Sequence, residues 1–93
     1  MIYKKITYRH DKKNRRYRFF YEAEYFDQNT GHHICGGNLF DVYLVNNHFV
    51  VIKNSIMPVF CCDTFDELVF YVKNTTKCFP ELKKANYKAK QHE

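Results

Sequence analysis

Five histidines, four cysteines and fifteen lysines or arginines are the side chains of this 93-residue chain best suited to do chemistry. His32, His33 and Cys35 fall close together, with Cys61, Cys62 and Cys78 downstream. As a zinc set they are badly spaced. No CxxC pair is present, and Cys61 and Cys62, neighbours in an extended run, point to opposite faces and cannot both turn toward one ion. No metal or other cofactor is expected, and each thiol reads as a small buried hydrophobe. Nucleophilic catalysis needs a Cys or Ser beside a His that a third group orients. Cys35 with His33 is the one close pair, and a surface loop carrying two imidazoles is the stronger reading of it. A metal-independent ribonuclease using His10 or His48 would leave little linear pattern and stands as a third function class. Gly36-Gly37 reads as a turn rather than a phosphate cradle, and no zinc-protease or dinucleotide motif is present.

The basic side chains carry more information than the histidines. Residues 1–18 hold eight lysines or arginines against Asp11 alone; Phe19 to Thr76 hold two lysines against seven carboxylates; Lys77 to Glu93 hold five lysines against two. A basic start, an acidic middle and a basic tail present more than one electrostatic surface to partners. Within the first block, alternation puts Lys5, Arg9, Arg16 and Arg18 on one face with Tyr3 and Phe20, and leaves Lys12, Lys13 and Arg15 at a tip. Cations at strand spacing can meet successive phosphates while interspersed rings stack on unpaired bases, and a two-stranded ribbon also fits a major groove. The plain alternative is a solvated hairpin face that positive charge protects from edge pairing. Against it, Arg9 placed opposite Arg16 costs roughly a few tenths of a kcal/mol of like-charge repulsion, which an anionic partner would relieve.

The elements that must position these groups follow from the pattern. Ile2 to Arg9 and Arg15 to Phe26 read as a hairpin about Lys12-Lys13, with Tyr8 opposite Tyr17 and Ile6 opposite Phe19. On the second strand the odd residues from Tyr17 to Tyr25 face the core. Its even residues run from Arg16 and Arg18 through Phe20 to Glu22 and Glu24, so the outward side changes sign along its length. Asp27 to Asn38, with Asn29, Gly31, Gly36 and Gly37, reads as a connecting loop. Asn46-Asn47 centres a second hairpin with Leu44 opposite Phe49, Tyr43 opposite Val50 and Val42 opposite Val51. Both faces of that hairpin are apolar, which predicts an interior strand or a covering helix. Ile56 to Cys62 is a short strand that Pro58 confines to an edge. Thr64-Phe65-Asp66-Glu67 fits a capping box, and Phe65, Leu68, Val69 and Val72 form a core stripe at helical spacing, with Phe70 and Tyr71 at its margins.

Ninety-three residues with 45% apolar composition suit one domain, and the eight Tyr and nine Phe offset the small size. The expected fold is α+β, a mostly antiparallel sheet of four to five strands packed against one C-terminal helix, with a single domain over 1–79 and a basic tail over 80–93. The opening MIYKKITYRH has no apolar run long enough for a signal peptide or membrane helix, so a cytoplasmic protein without membrane contact is expected, in the host cytoplasm if viral. The leading expectation is a non-enzymatic binding protein acting on nucleic acid or a nucleoprotein complex through Lys5, Arg9, Lys12, Lys13, Arg15, Arg16, Arg18, Tyr3 and Phe20. The runner-up is a protein-directed inhibitor of a nucleic-acid enzyme or host defence complex, of the anti-CRISPR-like kind found among viral accessory proteins. It would use acidic or aromatic patches, the acidic one made from Glu22, Glu24 and Asp27 together with Asp63, Asp66 and Glu67 and the aromatic one from Phe70 and Tyr71, and its partner would be a host protein. A monomer or a homodimer through an exposed edge strand suits either reading.

Overall fold

A computed structural model describes residues 2–54 and 56–83. The alternating runs at the start form β1 (Ile2–Asp11) and β2 (Arg16–Asp27), paired antiparallel. The register differs from the expected one by two residues: Tyr8 faces Phe19, Arg9 faces Arg18 and Asp11 faces Arg16. The turn accounts for this. It runs over Lys12 to Arg15, where Arg15 takes a left-handed φ of 56° and its N–H bonds the Lys12 carbonyl at 3.2 Å. A shift of two preserves parity, so the odd residues of β2 still face the core. Parity is lost at the other end. A bulge at Lys4 flips the start of β1, and Tyr3 lies opposite the buried Ala23 on the core side rather than beside Lys5.

The expected loop from Asp27 to Asn38 is mostly strand. The Asp27 carboxylate accepts the N–H groups of Asn29 and Thr30 at 2.8 and 3.4 Å, Gly31 takes φ 87°, and β3 (Gly31–Val45) then pairs with the whole of β2. Glycine here marks a close approach instead of a turn: a Cβ on Gly36 would stand 2.9 Å from the Tyr21 carbonyl oxygen. The second hairpin has the expected register, with β4 (His48–Lys53) joined to β3 through Asn46 and Asn47 at φ 51° and 67°. β5 (Met57–Cys62) is an edge strand containing Pro58 and a bulge at Val59.

α1 (Phe65–Thr76) begins in the expected capping box and ends at Lys77 in the left-handed region. After it, Pro80–Leu82 forms β6, parallel to β1. The sheet therefore extends past the expected boundary at residue 79 and is mixed, six-stranded and ordered β5-β4-β3-β2-β1-β6. The rest of the predicted tail, residues 84–93, lies outside the described residues.

The helix packs on one sheet face only. Ile6, Phe19, Val42, Val51, Leu68 and Val72 are fully buried between the two layers. Each such side chain contributes roughly 1.5–3 kcal/mol of burial. Phe65 sits among Tyr8, Tyr17 and Phe49, and Tyr71 stacks on Phe60 at 4.2 Å, while Phe70 is 64% exposed. The vicinal cysteines divide as alternation requires, with Cys62 buried and Cys61 exposed. Cys61 is thus no core residue, and Cys35 and Cys78 are half-buried. The opposite sheet face carries no covering element among the described residues.

Candidate functional site

The uncovered face gathers most of the residues that the sequence singled out. Strand parity after the Lys4 bulge directs Lys5, Thr7 and Arg9 outward from β1, and Arg16, Arg18, Phe20, Glu22 and Glu24 outward from β2. Lys12, Lys13 and Arg15 occupy the turn and are exposed. Tyr3 is not part of this surface; it meets Tyr21 edge-on at 5.6 Å beneath the sheet, and its carbonyl accepts the Cys78 thiol at 3.3 Å.

Two of the expected cations, Arg16 and Arg18, are held by side-chain hydrogen bonds. Arg16 Nε donates to Asp11 at 2.9 Å, and its Nη1 reaches Asp41 at 3.4 Å and the Tyr43 hydroxyl at 3.1 Å. Arg18 Nε donates to the other Asp41 oxygen at 3.2 Å, which Asn38 also bonds at 3.3 Å. Asp11, Arg16, Asp41 and Arg18 thus form a charge-balanced chain across β1, β2 and β3. The amide of Asn14, and then the guanidinium of Arg16, hold the Asp11 carboxyl below its ordinary pKa. Arg16 is held above its own by Asp11 and Tyr43. These two arginines clamp three strands together first, and they meet an outside anion only in competition with the aspartates.

The remaining cations group differently. Arg9, Arg18 and Lys83 stand 5.2, 5.9 and 5.6 Å from the centroid of the half-buried Phe20 ring. Register places Arg9 and Arg18 on directly opposite residues, and their common contact with the ring offsets the like-charge cost by a cation–π attraction of about 0.5–1 kcal/mol per contact. Lys83 was missed in the sequence. Its place depends on β6: the Lys83 N–H bonds the Tyr8 carbonyl at 2.7 Å and continues a parallel ladder that no local pattern announces. Lys5 lies 4.0 Å from Glu81, both well exposed. Arg9, Lys12, Lys13, Arg15 and Lys83 make no ion pair among the described residues.

The proposed single acidic patch is not formed. Glu24 is level with Ile2 and Ile34, whereas the helix start lies at the other end of the sheet, where Phe65 contacts Tyr17. Glu24 lies seven residue steps along β2 from Tyr17, about 23 Å of strand. Glu67 is moreover engaged by the Asp63 and Thr64 amides.

The two histidines considered for catalysis lie on opposite sides of the sheet. His10 stacks on Tyr17 at 4.4 Å on the helix side, whereas His48 Nδ1 pairs with Asp63 Oδ1 on the open side. Burial raises the Cys62 thiol pKa, with Glu67 adding to it, which opposes a thiolate there. His33 pairs with Tyr25 and His32 with Phe26 across the far hairpin end. Among the described residues no cluster of three His, Cys, Asp or Glu side chains has a metal-holding arrangement, and no helix is long and apolar enough to cross a membrane. Comparison with protein-family models, curated proteins and solved structures finds no match to this chain.

Proposed function

We propose that the chain is a non-enzymatic binding module acting on nucleic acid, or on a complex that handles it, through the uncovered face of its N-terminal hairpin. The observation that carries this reading is the group of cations around Phe20, continued by Lys12, Lys13 and Arg15 at the turn, with Arg9, Lys83 and the turn cations unpaired among the described residues. Exposed cations spaced along a flat sheet and backed by a ring suit a polyanion better than a single small anion.

Charge reversal at Arg9, Lys12 and Lys13 is the direct test, because none of these residues belongs to the Asp11–Arg16–Asp41–Arg18 chain. Wild type is expected to bind oligonucleotides with affinity that falls steeply with salt. The R9E/K12E/K13E variant is expected to fold normally and to lose that binding. Retained affinity in a folded variant would remove the hairpin from the contact surface.

A second reading, a protein-directed inhibitor, is favoured by the groove between α1 and β5, where Phe60, Phe70, Tyr71 and Asp66 form an aromatic and acidic lining. Affinity capture after nuclease treatment separates the two. One stoichiometric protein retained on the wild type and lost on Phe70→Ala supports inhibition, and loss on nuclease addition supports nucleic acid.

A further inference from the structure

On the same uncovered face a groove of about 440 Å³ crosses β3 and β4 beside the basic turn. Its floor and far wall are apolar, from Tyr43, Val50, Ile52 and Ile56, and its near rim carries Asn14 and Arg15. Among the described residues no carboxylate lines it. Tyr43 and Val50 are directly opposite in the ladder, so the ring and the branched side chain stand side by side on the open face, with the Arg16 guanidinium 5.9 Å from the ring centroid. Ile56 stands 83% exposed at the side. Asn14 spends an amide hydrogen on Asp11, which leaves its carbonyl oxygen as an acceptor at the rim.

An apolar floor beside a cationic rim matches the two halves of a nucleotide, a flat base and a phosphate. A base paired within a duplex cannot present its ring face to such a floor. The hairpin, too, is poorly placed to enter a duplex groove as a ribbon, because β1 is flanked by β6 and β2 by β3. We infer that the groove over Tyr43 and Val50 is a subsite for an unpaired base and that the protein selects single-stranded over double-stranded nucleic acid. This rests on the nucleic-acid reading. It adds that Arg15, with its turn neighbours Lys12 and Lys13, holds the phosphates flanking the base lodged in the groove.

Three fluorescent probes of equal length test it: a mixed-sequence single strand, its duplex, and a strand of abasic sugar-phosphate, each as DNA and as RNA. With at least one sugar, the single strand is expected to bind about tenfold more tightly than either competitor, the size of one base–aromatic contact. Tyr43→Leu should remove that advantage and Tyr43→Phe should keep it. Ile56→Ser, at a largely exposed position, should reduce it without touching the Arg16 hydrogen bond. Equal binding of the duplex or the abasic strand with both sugars overturns the base subsite, while salt-dependent binding of all three probes would still uphold the broader reading. An advantage that survives both Tyr43→Leu and Ile56→Ser overturns the placement. No salt-dependent binding of any probe overturns both readings.

Discussion

Asp11 shows how one carboxylate can decide what its neighbours are free to do. It bonds Asn14 at 2.9 Å within the turn and Arg16 at 2.9 Å across the hairpin, so it fixes the turn and occupies a cation together. Because its folded pKa lies below the unfolded value, its stabilisation is complete above about pH 4 and is lost as acid protonates it below that. Asp11→Asn is therefore expected to lower stability at neutral pH, and the gap from wild type should narrow as the pH falls below the ordinary carboxylate range. Chemical unfolding followed across that range checks it; a gap independent of pH would mean that the ion pair contributes nothing. At Gly36 the constraint is steric. Gly36→Ala brings a methyl against the Tyr21 carbonyl and is expected to cost about 1–3 kcal/mol in urea unfolding. Residue types alone marked Arg16 and Arg18 as contacts. Asp41, which occupies both, is 25 and 23 positions away, so no local spacing reveals the competition.

Periodicity located the second hairpin and the helix because each declares itself within a few residues: Asn46-Asn47 supplies two left-handed positions, and Thr64 with Glu67 completes a reciprocal cap. The first half of β3, Gly31 to Asn38, was hidden for the opposite reason. Gly31, Gly36 and Gly37 weaken strand propensity locally, and only the long partner β2 holds them extended. β6 has three residues and a distant parallel partner, and so carries no period to read. The candidate site inherits the same limits. The alternation exposed Arg9 and Phe20, and the parity change at Lys4 removed Tyr3. Thr64→Ala is expected to cost about 1 kcal/mol through loss of the cap. Leu68→Ala, at a fully buried position facing the sheet, should cost about 2–5 kcal/mol in the same assay. Near-equal losses would mean that the helix packs too loosely for its stripe to matter.

Across the whole molecule the helix divides the sheet into a sealed face and an available one, and the available face has its own polarity. Cations lie toward the Lys12–Arg15 turn, while Glu22 and Glu24 lie toward the far hairpin end. A polyanion is expected to run across the turn-proximal half and to avoid the other. Glu22→Gln/Glu24→Gln should strengthen oligonucleotide binding by a few-fold at low salt, an effect that added salt erases. A strengthening unchanged by salt would point to direct contact instead. Amide exchange should be slowest at the centre of β2 and β3, which have partners on both sides, and fastest in β5 and β6 at the two edges.

The placement of β6 also bears on the order in which the sheet forms. It pairs with β1, and the contact that anchors the crossing segment, from the Cys78 thiol to the Tyr3 carbonyl, joins residues 75 positions apart. Closing a contact of such long sequence separation is slow. Lys83 reaches Phe20 only through that closure. The cation group around Phe20 is therefore assembled by the docking of β6: with that strand undocked, the ring keeps its arginines and lacks the lysine.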